Sequence, residues 1–552
     1  MGSWNVGVKK FLLLLTFCLA AMAGFAQGGG SLHGNFQLDA QYYKEDTLIG
    51  APDVEEKVLM NGFANFIYEK DNFSAGLRYE SYQNPLLGFD RRYTGSGIPY
   101  RFLRYNNDGL DVTVGNFYEQ FGSGILLRSY EERGLGFDNA FEGLRVSYMP
   151  IQGVTLKALA GKQRLYFNLG PGIVRAADAE VSLNEAFKMP ADAKTKIIIG
   201  ASFVSKFQKD DDPIYVLPEN VGAGSGRINI QSGDYSINAE YARKANDPSF
   251  NNSFIYKDGE ALILNLGYTK PGFGFTLSGK RIDNMSFRSD RSAAVNDLLI
   301  NYLPAMTRNH TYALSALYPY ATQPNGEMGM QAELFFKIKP EKPLGGKYGT
   351  DVAVNYSRVN SIDRTAPADT NVIGAPGTDG YSSDFLKVGD EKYFEDFNVE
   401  VTHKFSNKVK GIFDYVYIVY NKDVIQGESG YGTFYSHIGI AEIIWKITSK
   451  KALRTEVQHL LTKDDKKSWA MLLEEFTIAP YWSIAAFDMY NYGNDDPDHR
   501  IHYFTGTVTF TKNANRFSIG YGKQRAGIVC VGGVCRTVPA SNGFTLSVSS
   551  SF

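Results

Sequence analysis

The chain has 552 residues, of which 57 are Lys or Arg and 59 are Asp or Glu, giving a formal net charge of −2. That balance lacks the basic footprint of a nucleic-acid binder. Aromatic residues make up 14% of the chain, and no Pro/Ser linker or shift in composition divides it; one very large β domain is rare in water and ordinary for a closed barrel.

The first 26 residues have the three parts of a secretory signal. Lys9 and Lys10 form the basic region, Phe11 to Ala23 the apolar stretch, and Gly24-Phe25-Ala26 the small-x-small cleavage site. Cys18 follows Phe17 rather than a small residue, unlike a lipoprotein site. No later segment reaches the roughly 18 apolar residues of a membrane helix. The expectation is a cleaved signal peptide at 1–26 and one exported domain at 27–552.

From Gln27 onward the chain reads as alternating segments separated by turn residues. LHGNFQLDAQYY sets Leu32, Phe36, Leu38, Ala40 and Tyr42 on one face, with His33, Asn35, Gln37, Asp39 and Gln41 on the other. FSAGLRYESY sets Phe73, Ala75, Leu77 and Tyr79 opposite Arg78 and Glu80. Strand side chains alternate with period two, whereas a helix repeats near 3.6. In a membrane barrel the apolar face meets lipid and the polar face a watery lumen.

The connectors carry a second periodicity. Tight ones at 69–72, 106–109, 150–153, 231–234, 270–273, 405–408, 448–451 and 512–515 largely alternate with long ones at 44–57, 84–98, 162–176, 207–224, 244–257, 359–390 and 526–541. Outer-membrane barrels sort their loops into short periplasmic turns and long outer loops, and a soluble sandwich has no reason to do so. With both termini in the periplasm, GFTLSGKRID counts as the thirteenth strand, and MQAELFFKIK as the eleventh from the end. The counts meet across residues 284–327 and give about 24 strands, within a range of 18 to 26 because 143–149 and 178–187 are short or irregular.

Two stretches do not read as strands. One is GSGILLRSYEERGLGFDN at 122–139; the other is 284–309, followed by YPYATQPNGEMG at 318–329. Barrels of about 16 or more strands enclose a channel or a plug, so these are candidates to enter the lumen. Arg128, Glu131, Glu132 and Arg133 bring both signs of charge together between glycines. Inside a lumen they would form a constriction whose transverse field selects solutes.

Cys530 and Cys535 are the only cysteines left once the signal is removed. Gly532-Gly533 between them is a two-residue hairpin signal. It pairs Val531 with Val534 and Cys530 with Cys535, the latter a non-hydrogen-bonded pair about 4.5 Å apart and within disulfide reach. Strand parity places this hairpin outside the cell, an oxidising setting. Two thiols without a nearby His do not make a metal site. NDDPDHRIH at 494–502 is the one stretch that sets His beside Asp, and it reads as a solvated acidic loop. Neither enzymatic activity nor a cofactor is expected.

The last segment, GFTLSVSSSF, places Phe544, Leu546, Val548 and Phe552 on one parity and Thr545, Ser547 and Ser549 on the other. Signal peptide, alternation and terminal Phe552 together resemble a Gram-negative outer-membrane β-barrel. In that class a terminal aromatic strand is the signal read by the barrel-assembly machinery. The resemblance implies Phe552 as the assembly signal, with that machinery and outer-membrane lipid as partners. GNFYEQFGSGILLRSYEERGLGFDN, YPYATQPNGEMG and GIVCVGGVCRTVPASNG further resemble segments of an uncharacterised Bacteroidota family, a domain of unknown function, which implies no activity.

The expected fold is all-β, a single large closed antiparallel transmembrane barrel. The expected function is a porin-like channel in the cell outer membrane for passive passage of small solutes, partly occluded by an inserted loop. The alternative is a non-transporting barrel that serves as a platform for surface or secretion proteins. An outer-membrane hydrolase ranks last.

Overall fold

The computed structural model describes residues 29–190, 192–531 and 534–552, and the side chains of 529–535 are not among what is described. The expected signal peptide at 1–26 lies outside the described residues. Twenty-four strands form one antiparallel sheet in which each pairs with its neighbours in chain order. The first strand, Ser31–Lys44, pairs with the last, Ser541–Ser551, in a register running from Asn35↔Ser551 to Lys44↔Asn542. The Phe552 backbone extends this seam, its N–H donating to Gly34 O at 3.1 Å and its carbonyl accepting from Gly34 N at 3.0 Å. Closure answers a physical demand: an open edge in lipid would leave backbone groups without partners.

The count by parity holds. Phe273–Asp283 is the thirteenth strand, Gly326–Ile338 the fourteenth, and residues 284–325 join them. Two-residue turns at 71–72, 108–109, 152–153, 233–234, 271–272 and 513–514 lie on one rim, and most long connections lie on the other. One expectation fails. Residues 162–176 are not a long loop, because Val154–Leu165 and Asn168–Ser182 are joined only by Tyr166 and Phe167, with Tyr166 at φ 59°. Gly170, Pro171 and Gly172 sit inside the strand, where the pairing register shifts between Leu169 and Ile173. A Cβ at Gly172 would collide with the Ser289 carbonyl, so glycine here permits another backbone to come close.

Along the wall, side chains alternate as the two solvents require. Leu77, Phe275, Leu277, Phe413, Tyr415, Phe517, Ile519, Phe544 and Leu546 are exposed on the exterior. Arg78, Glu80, Lys280, Asp396 and Glu456 are buried in the lumen. Among the described residues, no helix is long and apolar enough to cross a membrane.

The lumen is filled by the chain itself. A first insert, residues 118–140, joins the fifth strand (Leu110–Phe117) to the sixth (Phe141–Ile151). Its Phe121, Ile125, Leu126 and Leu127 have no exposed surface and pack on wall residues Val174, Val204, Val221, Ala242, Ala261 and Ile282. Met285, Phe287 and Ile300 of the second insert, 284–325, complete this cluster. Leu314, Tyr318 and Tyr320, farther along the second insert, join a separate cluster with Phe394, Val416, Ile418, Ile438, Leu460 and Trp469. Full burial of such side chains contributes about 1.5–3 kcal/mol each. The wall residues of the first cluster lie toward the long-loop ends of their strands, so the inserts pack in that half of the barrel.

Candidate functional site: a lumen closed by two inserts

The inserts are tied to each other before they are tied to the wall. Arg128 N donates to Ile300 O and Tyr302 N to Gly124 O, both at 2.9 Å. The buried Asn301 amide donates to Met285 O at 2.8 Å and to Ile125 O at 3.2 Å, and its Oδ1 accepts from Phe287 N at 3.3 Å. A buried amide with donors and acceptors satisfied fixes one arrangement of the backbones around it.

Wall cations then hold the inserts by backbone carbonyls. Lys244 Nζ donates to Ser286 O at 2.6 Å, and Lys280 Nζ to Pro304 O at 2.5 Å while pairing with Glu327 at 2.5 Å. Gln163 donates to Leu299 O at 2.6 Å. On the opposite wall, His310 Nε2 lies 2.6 Å from Asp396 Oδ2, Arg308 pairs with Glu400, and Tyr312 donates to Glu442 at 3.3 Å.

The charges singled out in the sequence lie inside the barrel, and most have partners. Glu131 accepts from wall residue Arg78 at 2.8 Å and from Arg133 at 3.0 Å. Arg133 also donates to Gln37 at 3.2 Å and lies over the Phe63 ring at 4.5 Å. The Arg128 guanidinium lies against two rings set nearly at right angles, Tyr130 and Tyr302, at 4.5 and 4.1 Å from their centres. Glu132 is half-buried in a two-residue pairing with Phe137. Sequence reasoning missed the wall side of this network. Arg164 pairs with Glu80 at 2.5 Å and with Asp138 at 2.6 Å, and Arg78 pairs with Glu80 at 2.7 Å. The available signal was a charged residue on the luminal parity of a strand.

Cavities remain on both sides of the inserts. On the short-turn side, a polar cavity of about 630 Å³ is lined by Lys157, Arg227, Asn229, Asn238, Asn265 and Glu333. Near the long-loop rim lie cavities of about 550 and 430 Å³ that share Phe89 and Arg536. Among the described residues, no group of three or more His, Cys, Asp or Glu side chains could hold a metal ion.

The hairpin at the long-loop rim has the anticipated register, with Val531 opposite Val534 and Cys530 opposite Cys535. The thiols themselves lie outside the described side chains. His499 pairs with Asp496 at 2.7 Å in an exposed turn, and His502 with Asp488 at 2.6 Å. The second pair sits on the barrel exterior, since His502 shares the parity of the exposed Phe504.

Several solved outer-membrane structures are similar to this chain at low identity. The ferric enterobactin receptor of Pseudomonas aeruginosa (PfeA) is 10% identical, with a TM-score of 0.41 over 95% of this chain and 80% of that one. The siderophore receptor PirA of Acinetobacter baumannii is 9% identical, with a TM-score of 0.43 over 95% and 80%. The outer membrane protein opdK of P. aeruginosa is 11% identical, with a TM-score of 0.36 over 78% and 99%. No curated protein matches the chain. The model of a family of unknown function, DUF6029, matches residues 8–552, and the chain belongs to that family.

Proposed function

We propose that the protein is an outer-membrane channel for small polar solutes, held shut or nearly shut by its own two inserts. The observation that carries this reading is the division of the lumen: a polar cavity on the short-turn side, cavities lined by aromatic side chains and charges of both signs at the long-loop rim, and the packed inserts between. The apolar exterior supports a place in lipid. The long-loop rim then faces the cell exterior, and the short turns face the periplasm. Export by cleavage after Ala26, and recognition of Phe552 by the barrel-assembly machinery, belong to the same reading.

Conductance in planar bilayers tests it. The full barrel should give small or infrequent conductance steps. Deleting 122–139 while keeping the wall should raise single-channel conductance, because it removes Ile125, Leu126 and Leu127 from the occluding cluster. Unchanged conductance after the deletion would sink the channel reading.

A second reading, a platform for surface or secretion proteins, is favoured by apolar side chains on the long loops. Ile214, Val216 and Leu386 are 79%, 84% and 84% exposed. Photocrosslinking from position 216 in intact cells would favour this reading if it captured a partner while the deletion variant stayed electrically silent.

A further inference from the structure

Nearly every luminal cation described above is matched by a carboxylate or a carbonyl. Arg536 is not. It enters the long-loop end of the lumen from the hairpin Gly527–Val538 and lies over the Phe89 ring at 4.2 Å. Its Nε and Nη1 are buried and have no hydrogen-bond partner. Across the same cavity of about 430 Å³ stands Asn61, which is 1% exposed. Asn61 Oδ1 accepts from Leu86 N at 3.2 Å, and its Nδ2 has no partner.

Two acceptors that line this cavity, Asp39 and Gln41, already take hydrogen bonds from neighbours within the wall. Asp39 takes bonds from Gln37 and from Ser547, each at 2.7 Å. Gln41 Oε1 accepts from Tyr43 at 2.6 Å. The second guanidinium there, Arg133, is bonded to Glu131 and Gln37. What remains without a hydrogen-bond partner among the described residues is Arg536 Nε and Nη1 and Asn61 Nδ2, in a cavity that the Asp39 carboxylate, bonded only to neutral donors, also lines. An unmatched buried donor carries an unrepaid desolvation cost, larger when it is charged. A solute that brought acceptor oxygens would remove that cost. Phe63 and Phe89 also line the cavity and supply apolar surface beside the donors.

We propose that this cavity binds a small hydroxylated solute bearing a carboxylate or a phosphate. Arg536 takes the oxyanion and Asn61 Nδ2 takes a second oxygen. The inference rests on the channel reading only for the direction from which the solute arrives.

Equilibrium binding to the purified full-length barrel in detergent tests the proposal without reference to conductance. Glucuronate and glucose 6-phosphate are titrated by calorimetry, with glucose as the neutral comparison. At least one acid should bind about tenfold more tightly than glucose, the scale of one charge-assisted hydrogen bond; which acid does so separates a carboxylate site from a phosphate site. Arg536→Gln should bring the preferred acid down to the level of glucose, while Arg536→Lys keeps a preference for it. Asn61→Asp should weaken the acid by a similar factor. Heat-dependent gel mobility confirms that each variant is a folded barrel. If neither acid outcompetes glucose in the wild type, or if Arg536→Gln leaves the preference intact, the proposal is overturned whatever the conductance shows. A silent bilayer with intact acid binding would instead overturn only the channel reading.

Discussion

Asp138 of the first insert meets Arg164 of the wall at 2.6 Å, with both side chains buried. The same carboxylate pairs with Arg78, and both arginines also hold Glu80. The ionic contact between insert and wall is therefore a cluster of alternating charges. Breaking a buried pair is costly because it strands the remaining charge.

Arg164→Met should destabilise the barrel by roughly 3 kcal/mol, toward the low end for a broken buried pair because Arg78 still reaches both acids. Replacing Arg164 and Glu80 together by apolar residues should recover part of the loss. Urea unfolding midpoints in detergent or lipid measure both, and an Arg164→Met midpoint equal to wild type would refute the structural weight given to the cluster.

The last strand offers a direct test of which face meets lipid. Leu546 is exposed on the exterior, whereas Ser547 donates to luminal Asp39 at 2.7 Å. Arg at position 546 should cost about 2–4 kcal/mol if it lies near the midplane, and Arg at 547 far less. Equal losses in a refolding titration would contradict the assignment.

Cys530 and Cys535 stand opposite one another in the hairpin register. They should resist alkylation until reductant is added, as read by intact-mass spectrometry. The ring that a bond between them would close is small, so its loop-entropy gain would be only about 2 kcal/mol and confined to the hairpin. Replacing both by Ser should leave the unfolding midpoint of the barrel essentially unchanged.

At the long-loop end of the seam, Asp46 accepts from Lys523 at 2.6 Å and from Asn542 at 2.9 Å. Burial acts to raise this carboxyl, but the bonds from Lys523 and Asn542 outweigh it and hold it below the usual range. A lowered carboxyl contributes stability that is fully present above the unfolded value, about 4, and lost as pH falls through the lower folded value. Asp46→Asn should therefore lower stability across the neutral range and flatten the acid limb below about pH 4, so that the two profiles converge at low pH. An identical acid limb in the two proteins would remove Asp46 from the account.

The barrel was legible because lipid and lumen impose a strict period of two on every strand. Leu77 beside Arg78 already states which way each points. The inserts were located by the absence of that period, but what holds them was not legible. In 122–139 the charges from Arg128 to Arg133 drew attention, whereas Ile125-Leu126-Leu127 provides the packing. Three adjacent apolar residues have no periodicity to read and become meaningful only when the wall surrounds them. The pairing of Lys280 with Glu327 depends on the register of two neighbouring strands that the whole second insert separates in sequence, and that of Arg164 with Glu80 joins strands that are not neighbours in the sheet. Asn61 and Arg536 share a cavity only because the first and last strands meet.

The two luminal clusters differ in the span of chain that each needs. Among the described residues, the first draws on Phe117 to Ile300 with Leu303 packed against it, whereas the second reaches from Ile49 to Ala540. A curved half-sheet of middle strands can thus bury its own filling while the ends are still apart. The other half cannot finish until the seam is zipped. Biogenesis should then pass through a stage in which Leu126 is shielded from protease or label while Tyr420 is not, so the stopper is partly in place before the bottle is complete.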